Sequence, residues 1–503
     1  MVVLDGDQLT LEQVLAVACR DEPVSLHPRA LERMRRSRAV VERLAAAGAP
    51  VYGVNTGVGR LAEVCVPPEQ LEQLQRNIVR SHACGVGEPL RRPEVRAMML
   101  VRANTLAKGF SGIRPLVAER LVEMLNGGVT PVVPSRGSVG ASGDLAPLAH
   151  IALVLMGEGQ AEVQGVVCAG PEALARAGLV PLTLAAKEGV SLINGTQGML
   201  AIGCLELAAA ETLVETADLA CAMTLDALRG TPRAFDPRLH ALRPFRGQAR
   251  SAAHLRRLLQ DSPIRESHLG CSRVQDAYSL RCAPQVHGAV RDALSQARSA
   301  FSLELNAATD NPLVLGEEIV SGGNFHGQPL ALLLDYLAIA LTTLAQISER
   351  RLDRLLNPVL NEGLPPFLAE NPGLESGFMM LQATAAALVA ENRVLAYPAT
   401  AGSIPTSGDK EDFVSMGMTA ALKLRTVTAN TRAVLALELL AAARALDLLA
   451  PLASSPAIER VRAEIRRLAP PAPGDRSLSA EIARLAEGIA EGVLLRAAAG
   501  ETP

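Results

Sequence analysis

The chain has 503 residues and a formal net charge of −3 at pH 7, and 49% of its residues are hydrophobic while only 2% are aromatic. This much apolar material with this little charge excludes a disordered chain. Acidic and basic residues are interspersed, so no basic stripe predicts a nucleic-acid partner. A core dominated by Ala and Leu, with no Trp, favours close-packed helices.

The compartment follows from three further features of the sequence. The N-terminus contains Asp5 and Asp7 and no basic segment, so it does not resemble a signal peptide. Eight scattered cysteines form no C-x-x-C pair, and we expect most of them to be small buried hydrophobes in a reducing, cytoplasmic compartment. The most apolar stretch, 330–347, contains Asp335 and Tyr336, which favours a buried helix over a membrane span.

Short helices are predicted within residues 1–50, and helices alternate with polar loops up to residue 125. A Gly-rich loop over 127–143 leads into a helix that starts near Asp144 and ends at Gly157, and 161–184 contains a short hairpin. Long helices are predicted at about 196–229, 284–309, 327–356, 375–395 and 413–449. Helices this long usually form bundles.

The pattern therefore predicts a mainly α fold in a single 503-residue unit. We expect an α-rich, loop-bearing N-terminal region over 1–195, a long central helix bundle over 196–460 and a C-terminal helical segment over 461–503.

Common catalytic motifs are missing from the sequence. It contains no P-loop, no G-x-G-x-x-G between a strand and a helix and no H-E-x-x-H, and Ser142 lies in G-A-S-G rather than in a G-x-S-x-G elbow. The eight His residues are far apart, so nothing in the sequence predicts a metal site.

The tripeptide Ala141-Ser142-Gly143 offers a different chemistry. In a tight turn the Gly143 nitrogen can attack the Ala141 carbonyl carbon, and loss of water, including the Ser142 hydroxyl, leaves a five-membered ring with an exocyclic methylidene. Asp144 could assist the proton transfers, and the helix N-terminus that follows favours developing negative charge. On its own the tripeptide is common and is far more often an ordinary Gly/Ser loop, here with Asp144 as the N-cap.

The loops of the chain, taken together, decide between these interpretations. The segment GSVGASGDLAPLAH (137–150) resembles the signature of the aromatic amino acid lyases, which carry a 4-methylidene-imidazol-5-one (MIO) group. The resemblance spans about residues 4 to 495 and includes YGVNTG, RSHACGVGEPL, LINGTQG, DAYSLRCAPQVHG, DNPLV, SGGNFHGQP and SIPTSGDKEDFVSMG. Within the family these loops are most similar to those of the histidine ammonia-lyases.

The resemblance implies an architecture and a cofactor. The fold would be the helical one shared with the fumarase/aspartase superfamily, assembled as a homotetramer whose active sites each combine three subunits. The electrophile would be the MIO group formed from Ala141, Ser142 and Gly143, with no metal and no diffusible cofactor. The partner would be an amino acid substrate, with neither nucleic acid nor membrane involved.

The resemblance also assigns roles to individual residues. Tyr52 matches the base that removes the substrate's β-proton, although a phenol is a poor base unless the site stabilises its phenolate. Arg281 matches the residue that pairs with the substrate carboxylate. Asn194 and Tyr278 match residues that line the ring and the substrate amine, and Phe325 matches the aromatic beside the ring. The expected supports of the ring are Asp144, Gln275 and Asn311.

Two positions favour histidine as the substrate. His82 matches the residue on the imidazole side, and Glu411 stands where the phenylalanine and tyrosine lyases carry Gln; a carboxylate holds an imidazole N–H or a cationic ring better than an amide does. Phe413 and Val58 depart from the pattern, since His and an aromatic residue, respectively, are usual there. Phe413 removes a polar group near Glu411 and leaves the substrate choice less sharply defined.

Alternatives remain at the level of the sequence. The nearest is an MIO-dependent lyase or 2,3-aminomutase acting on tyrosine or phenylalanine. A catalytically inactive helical scaffold is disfavoured by the intact tripeptide, Tyr52 and Arg281. The fumarase and argininosuccinate lyase group is disfavoured because its G-S-S-x-M-P-x-K-x-N loop is missing. Each assigned residue also has a structural interpretation: a buried ring for Tyr52, an ion pair for Arg281, a loop residue for His82 and a solvated charge for Glu411.

Overall fold

The computed structural model describes residues 1–271 and 273–501 and is mainly helical. Its helices are α1 (Leu11–Arg20), α2 (Pro28–Ala46), α3 (Leu71–His82), α4 (Arg92–Ala107), α5 (Pro115–Asn126), α6 (Leu145–Leu155), α7 (Gly170–Arg176), α8 (Glu188–Ile193), α9 (Gln197–Ala227), α10 (Pro237–Ala241), α11 (Arg246–Leu258), α12 (Pro263–Glu266), α13 (Tyr278–Arg281), α14 (Ala283–Glu304), α15 (Gln328–Leu356), α16 (Met379–Leu395), α17 (Gly417–Leu448), α18 (Pro456–Leu468), α19 (Ser479–Glu491) and α20 (Val493–Ala499). The predicted fold class is confirmed.

The strands are short. They are β1 (Val2–Leu4), β2 (Val24–Leu26), β3 (Val86–Pro89), β4 (Thr130–Pro131), β5 (Pro134–Arg136), β6 (Gln160–Val163), β7 (Val166–Ala169), β8 (Leu313–Leu315) and β9 (Glu318–Val320). β1 and β2 pair in parallel, whereas the pairs β3–β5, β4–β6, β6–β7 and β8–β9 are antiparallel. The hairpin expected within 161–184 is β6–β7, and Gln164 and Gly165 in its turn both have the positive φ that a type I′ turn requires.

The chain divides into two compact units. The first comprises Met1–Leu205, Arg298–Asp335 and Pro398–Leu422; the second comprises Glu206–Ala297, Tyr336–Tyr397 and Lys423–Pro503.

In the first unit, α4 is buried on every face from Val95 to Ala107 and packs against α1 and α5. Helices α3, α6 and α8 pack against one another. The ends of these three helices carry His82, Asp144 and Asn194, so their mutual packing fixes the loops in which the expected site residues lie.

The long helices form close to the predicted bounds, with two informative differences. The helix predicted over 284–309 ends at Glu304, and the Asn306 side chain donates to the Ser302 carbonyl near that end. The helix predicted over 375–395 begins at Met379, because Gly377 has a φ of +57°, which a helix cannot contain.

Two expectations from composition have different outcomes. α9 and α15 are long and apolar enough to cross a membrane by length and composition alone, yet 72% and 56% of their most apolar windows are buried inside the protein, as in core helices of soluble proteins.

The expectation that most cysteines are buried was wrong: Cys204 and Cys221 are buried, whereas the exposed cysteines are Cys19, Cys65, Cys84 and Cys271.

The core of the second unit contains a fully buried ion pair. Arg351 donates from Nε to Glu438 Oε1 over 2.6 Å and from Nη2 to Oε2 over 2.8 Å. Thr224 and Ser348 donate their hydroxyl groups to the same carboxylate over 2.8 and 2.6 Å. Four hydrogen bonds therefore compensate the buried carboxylate for its lost hydration.

Replacing Glu438 by alanine should destabilise the protein by about 3–5 kcal/mol, because it leaves the buried Arg351 guanidinium without a counter-charge. Thermal unfolding followed by circular dichroism measures the effect. Glu32→Ala, which removes the exposed Arg36–Glu32 pair, is the matched control and should cost less than about 1 kcal/mol. Equal shifts for the two variants would contradict this account of the core.

Candidate active site

The Ala141-Ser142-Gly143 loop is joined to the loop that follows α8. The Ser142 carbonyl oxygen accepts from Asn194 Nδ2 over 2.8 Å and from the Gly195 amide over 3.3 Å. The Asp144 amide donates back to the Gly195 carbonyl over 2.7 Å. These bonds form a short parallel bridge between Gly143 and Gly195. The bridge joins two loops whose bonded residues, Ser142 and Asn194, are 52 positions apart in sequence.

Gly143 fits this turn only because it has no side chain. Its φ is +75°, and a Cβ atom there would lie 2.1 Å from the Gly195 carbonyl oxygen. Both the left-handed backbone and the close approach require glycine. The unhindered nitrogen that the proposed cyclisation needs is therefore also a requirement of the fold.

Asp144 lies fully buried at the start of α6. It does not cap its own helix; its Oδ1 accepts from Ser138 Oγ over 2.7 Å, and its Oδ2 accepts from the Met199 amide in the first turn of α9 over 2.8 Å. Burial raises the pKa of this carboxyl to about 6, against the lowering effect of those hydrogen bonds. Asp144 thus fixes the reactive loop onto α9.

The raised pKa of Asp144 predicts a pH dependence of stability. The folded protein binds this proton more tightly than the unfolded chain, so the group's contribution to the free energy of unfolding is fully present below pH 4. It is lost as pH rises through about 6, by about 1.4 kcal/mol per unit of pKa shift. Asp144→Asn keeps an acceptor for Met199 and cannot ionise.

Urea unfolding of the wild type and of Asp144→Asn between pH 4 and 8 isolates this contribution. The stability difference, wild type minus variant, should fall across pH 4–6 and stay constant above pH 7. A difference that is independent of pH would contradict the assignment.

Glu411 contacts the reactive serine directly. Its Oε1 accepts from Ser142 Oγ over 2.6 Å, and its Oε2 accepts from Thr406 Oγ1 over 2.7 Å. The segment around Glu411 is fastened to the reactive loop, since Ser415 Oγ donates to the Gly140 carbonyl and the Met416 amide donates to the Val139 carbonyl. The half-buried carboxylate is therefore bonded to Ser142 and Thr406 and is not a fully solvated surface charge.

Two recesses open beside Ser142. One has a volume of about 480 Å³ and the other of about 600 Å³. The residues that line both are Tyr52, Gly59, Ser142 and Glu411. His82 and Asn194 line the smaller recess, and Asn311 and Phe325 line the larger. The structure thus brings together eight of the expected site residues around one serine: Tyr52, His82, Ala141, Ser142, Asn194, Asn311, Phe325 and Glu411.

The tautomer of the neutral His82 ring follows from its contacts. Its Nδ1 lies 2.7 Å from the Ile78 carbonyl oxygen in the last turn of α3. A carbonyl oxygen can only accept, so Nδ1 carries the hydrogen, and in the neutral ring Nε2 then presents a lone pair. His82 therefore offers an acceptor to a ligand in the smaller recess.

The wall of the larger recess contains a residue that the sequence reasoning missed. His326 Nε2 donates to the Phe413 carbonyl over 3.1 Å, and the two rings stack with centroids 6.0 Å apart. Asn311 braces the same loop by accepting from the Gly322 amide over 2.7 Å. Phe413 itself is 60% exposed, so the position where His is usual carries an aromatic face stacked on a neighbouring histidine.

Other residues that hold the site were also missed. Arg102, fully buried on α4, donates to the Asn194 carbonyl and to Gln197 Oε1, and burial lowers its pKa to about 10. The Ser138 hydroxyl donates to the Asp144 carboxylate, and the Thr406 hydroxyl donates to the Glu411 carboxylate. A charged residue inside the apolar run of α4 was the available signal for Arg102, whereas Ser138 and Thr406 are ordinary loop residues by sequence.

Three expected site residues belong to the second unit. These are Gln275, Tyr278 and Arg281. Tyr278 is 71% exposed, and the Arg281 guanidinium lies 4.6 Å from the centre of its ring. The two side chains therefore form a cation–π pair at the surface of their own unit.

Comparison with known proteins identifies the family. The model of the aromatic amino acid lyases matches residues 9–467. The chain belongs to the aromatic amino acid lyase family. This confirms the resemblance drawn from its loops and makes the chain a carbon–nitrogen lyase.

Close relatives within the family are histidine ammonia-lyases. The enzyme of Koribacter versatilis is 56% identical over 98% of this chain and 99% of its own length, and that of Myxococcus xanthus is 53% identical over 100% and 99%. Among solved structures of the family, histidine ammonia-lyase from Trypanosoma cruzi has a TM-score of 0.92 at 41% identity, covering 100% of this chain and 96% of its own. Tyrosine aminomutase from Streptomyces globisporus has a TM-score of 0.94 at 41% identity, covering 100% and 99%.

Proposed function

We propose that this protein is a cytoplasmic histidine ammonia-lyase that removes ammonia non-oxidatively from L-histidine and releases trans-urocanate, the first step of histidine degradation. The observation that carries the proposal is the arrangement around Ser142. Its hydroxyl is bonded to Glu411, its carbonyl is held by two N–H donors, and Tyr52 and His82 line the same recess.

The residues present fit an MIO group at this loop. Gly143 supplies an unhindered nitrogen in a backbone that admits only glycine, and Ala141 and Gly143 are buried on either side of Ser142. The Ser142 carbonyl, which would remain as the ring carbonyl, already accepts from Asn194 Nδ2 and the Gly195 amide. The ring would supply an electrophilic methylidene carbon conjugated to that carbonyl.

The chain's own groups account for the remaining requirements of an elimination. Asn194 Nδ2 and the Gly195 amide are fixed donors that stabilise negative charge on the Ser142 carbonyl oxygen. The N-terminus of α6 points at the same loop and adds to this effect. Tyr52, which lines both recesses beside Ser142, would take the proton from the substrate's β-carbon at its hydroxyl oxygen.

Recognition of the imidazole would rest on His82 and Glu411. His82 presents the Nε2 lone pair, and the Glu411 carboxylate only accepts while it is ionised. Two acceptors suit a protonated imidazole, which carries two N–H donors. The side chains of tyrosine and phenylalanine carry one donor and none, so they would leave at least one acceptor unpaired.

Replacing His82 by leucine should raise the KM for L-histidine about tenfold or more, the effect of losing one hydrogen bond of about 1.4 kcal/mol. The protein should retain its MIO group, because His82 Nδ1 is engaged with Ile78 rather than with Ser142. Steady-state kinetics measure the KM, and intact mass measures the MIO group. An unchanged KM would show that His82 does not contribute to binding L-histidine.

The carboxylate of the substrate needs a partner, and the family pattern assigns that role to Arg281. The planar fork of a guanidinium matches the two oxygens of a carboxylate, which is the chemistry this role requires. Gln275, Tyr278 and Arg281 would complete the site in a homotetramer whose active sites each combine three subunits. Light scattering at micromolar concentration would test the tetramer.

The second candidate is a tyrosine or phenylalanine lyase or 2,3-aminomutase. The likeness to tyrosine aminomutase, as close in TM-score and identity as that to a histidine ammonia-lyase, and the aromatic Phe413 keep it open. Incubation of the purified protein with L-histidine, L-tyrosine and L-phenylalanine in parallel decides between them. The proposal predicts urocanate from L-histidine and little product from the others; a β-amino acid from L-tyrosine would favour the mutase.

A further inference from the structure

Glu411 occupies a position that substrate recognition alone does not require. Its Oε1 lies 2.6 Å from the hydroxyl of the serine that must lose that hydroxyl to form the ring. Thr406 fixes the other carboxylate oxygen over 2.7 Å, and the Thr406 amide donates to the Glu411 carbonyl over 2.9 Å. The carboxyl group is thus held against the leaving oxygen before any substrate is bound.

Ring formation includes a dehydration at Ser142 in which the Cα–H and Cβ–Oγ bonds break and a Cα=Cβ bond forms. The Cα proton passes to water, which reaches the half-buried Ser142 through the recesses. The oxygen leaves with the electron pair of the Cβ–Oγ bond and must gain a proton to depart as water. Hydroxide is a poor leaving group, so a proton donor at Oγ accelerates this step.

Two of the polar groups nearest to Ser142 in the chain's fold bond atoms other than Oγ. Asn194 Nδ2 and the Gly195 amide bond the carbonyl oxygen, where they stabilise the charge that develops when the Cα proton leaves. The Asp144 oxygens accept from Ser138 and Met199. Glu411 is the acid whose oxygen is in contact with Oγ.

We infer that Glu411 acts in the maturation of the protein as the general acid that protonates the departing Ser142 hydroxyl, before it serves in substrate binding. The carboxyl group takes a proton from solvent, gives it to Oγ as the Cβ–Oγ bond breaks, and ends as the carboxylate. This inference rests on the proposed function, since it presupposes that the MIO group forms.

The test follows the intact mass of newly made protein over time. Wild type, Glu411→Gln and His82→Leu are synthesised in a cell-free system, and aliquots are taken for mass spectrometry. His82→Leu is the matched control, because it alters the same recess without touching Ser142. Circular dichroism establishes that each variant is folded, and mass is read independently of turnover.

The wild type and His82→Leu should lose two waters. Glu411→Gln should lag by about a hundredfold or more, the lower end of what a lost general acid costs. It should remain at the full sequence mass or accumulate a species lighter by one water, in which the ring has closed but the hydroxyl is retained. Loss of two waters by Glu411→Gln at the wild-type rate would overturn the inference.

Two further outcomes are separable. If the wild type itself lost no water, the proposed function would fail rather than the role of Glu411. If Glu411→Gln did not fold, Glu411→Asp, which withdraws the carboxyl group by one methylene, would be read in the same way: slowed maturation supports the inference and the wild-type rate overturns it.

Discussion

Replacing Ser142 by alanine should abolish urocanate formation and leave the chain at its full sequence mass. Without Oγ no methylidene carbon can form, although the donors on the Ser142 carbonyl remain in place. A loss of at least about 10³-fold in kcat corresponds to about 4 kcal/mol of transition-state stabilisation, the least that removal of the electrophile should cost. Ultraviolet assay of urocanate and intact mass give the two readings.

Ser302→Ala serves as the control for this variant, since Ser302 is exposed and its hydroxyl donates to the Arg298 carbonyl within α14. It should match the wild type in both activity and mass. Urocanate production by Ser142→Ala within tenfold of the wild type would show that the electrophile is not made from this tripeptide.

Tyr52→Phe should lower kcat by about 10²–10⁴-fold, the range expected when a general base is removed. Tyr52 lines both recesses beside Ser142, and the substitution keeps the ring while deleting the oxygen that would take the β-proton. The mass should still be lower than the sequence mass by two waters, because the proposal assigns the bond to Ser142 Oγ to Glu411 and gives Tyr52 a role only in turnover. The defect should therefore lie in turnover and not in maturation.

Tyr336→Phe is the matched control and should leave kcat within about twofold, because Tyr336 is not among the described residues that line the two recesses beside Ser142. A Tyr52→Phe variant with wild-type kcat would show that a group other than Tyr52 takes the β-proton.

Much of the fold could be predicted because it is local in sequence. The pattern of apolar residues predicts α9, α15 and α17 to within a few residues, and the polar-apolar alternation within 161–184 predicts the β6–β7 hairpin. α14 ends earlier than predicted, close to the point where the Asn306 side chain bonds the Ser302 carbonyl. α16 begins later than predicted, after Gly377 with its positive φ. Neither the side-chain bond nor the backbone angle can be read from the apolar pattern. The exposed cysteines were misjudged because burial depends on tertiary packing, which composition does not report.

Eight of the expected site residues lie around Ser142, but their contacts could not be predicted from the sequence. The family pattern named Ser142, Asn194 and Glu411 separately, yet the bond between Ser142 and Glu411 joins residues 269 apart in sequence. No local pattern encodes such a bond. It arises because Ser415 and Met416 fasten one loop to another, and it changes Glu411 from a substrate-selecting residue into one that also contacts the reactive hydroxyl.

The most direct test of the central claim is the incubation of the purified protein with L-histidine while the ultraviolet absorbance of urocanate is recorded. We expect urocanate and ammonia to appear in equal amounts, at a rate far above that of product from L-tyrosine or L-phenylalanine. No urocanate from a protein whose mass is lower by two waters would contradict histidine as the substrate.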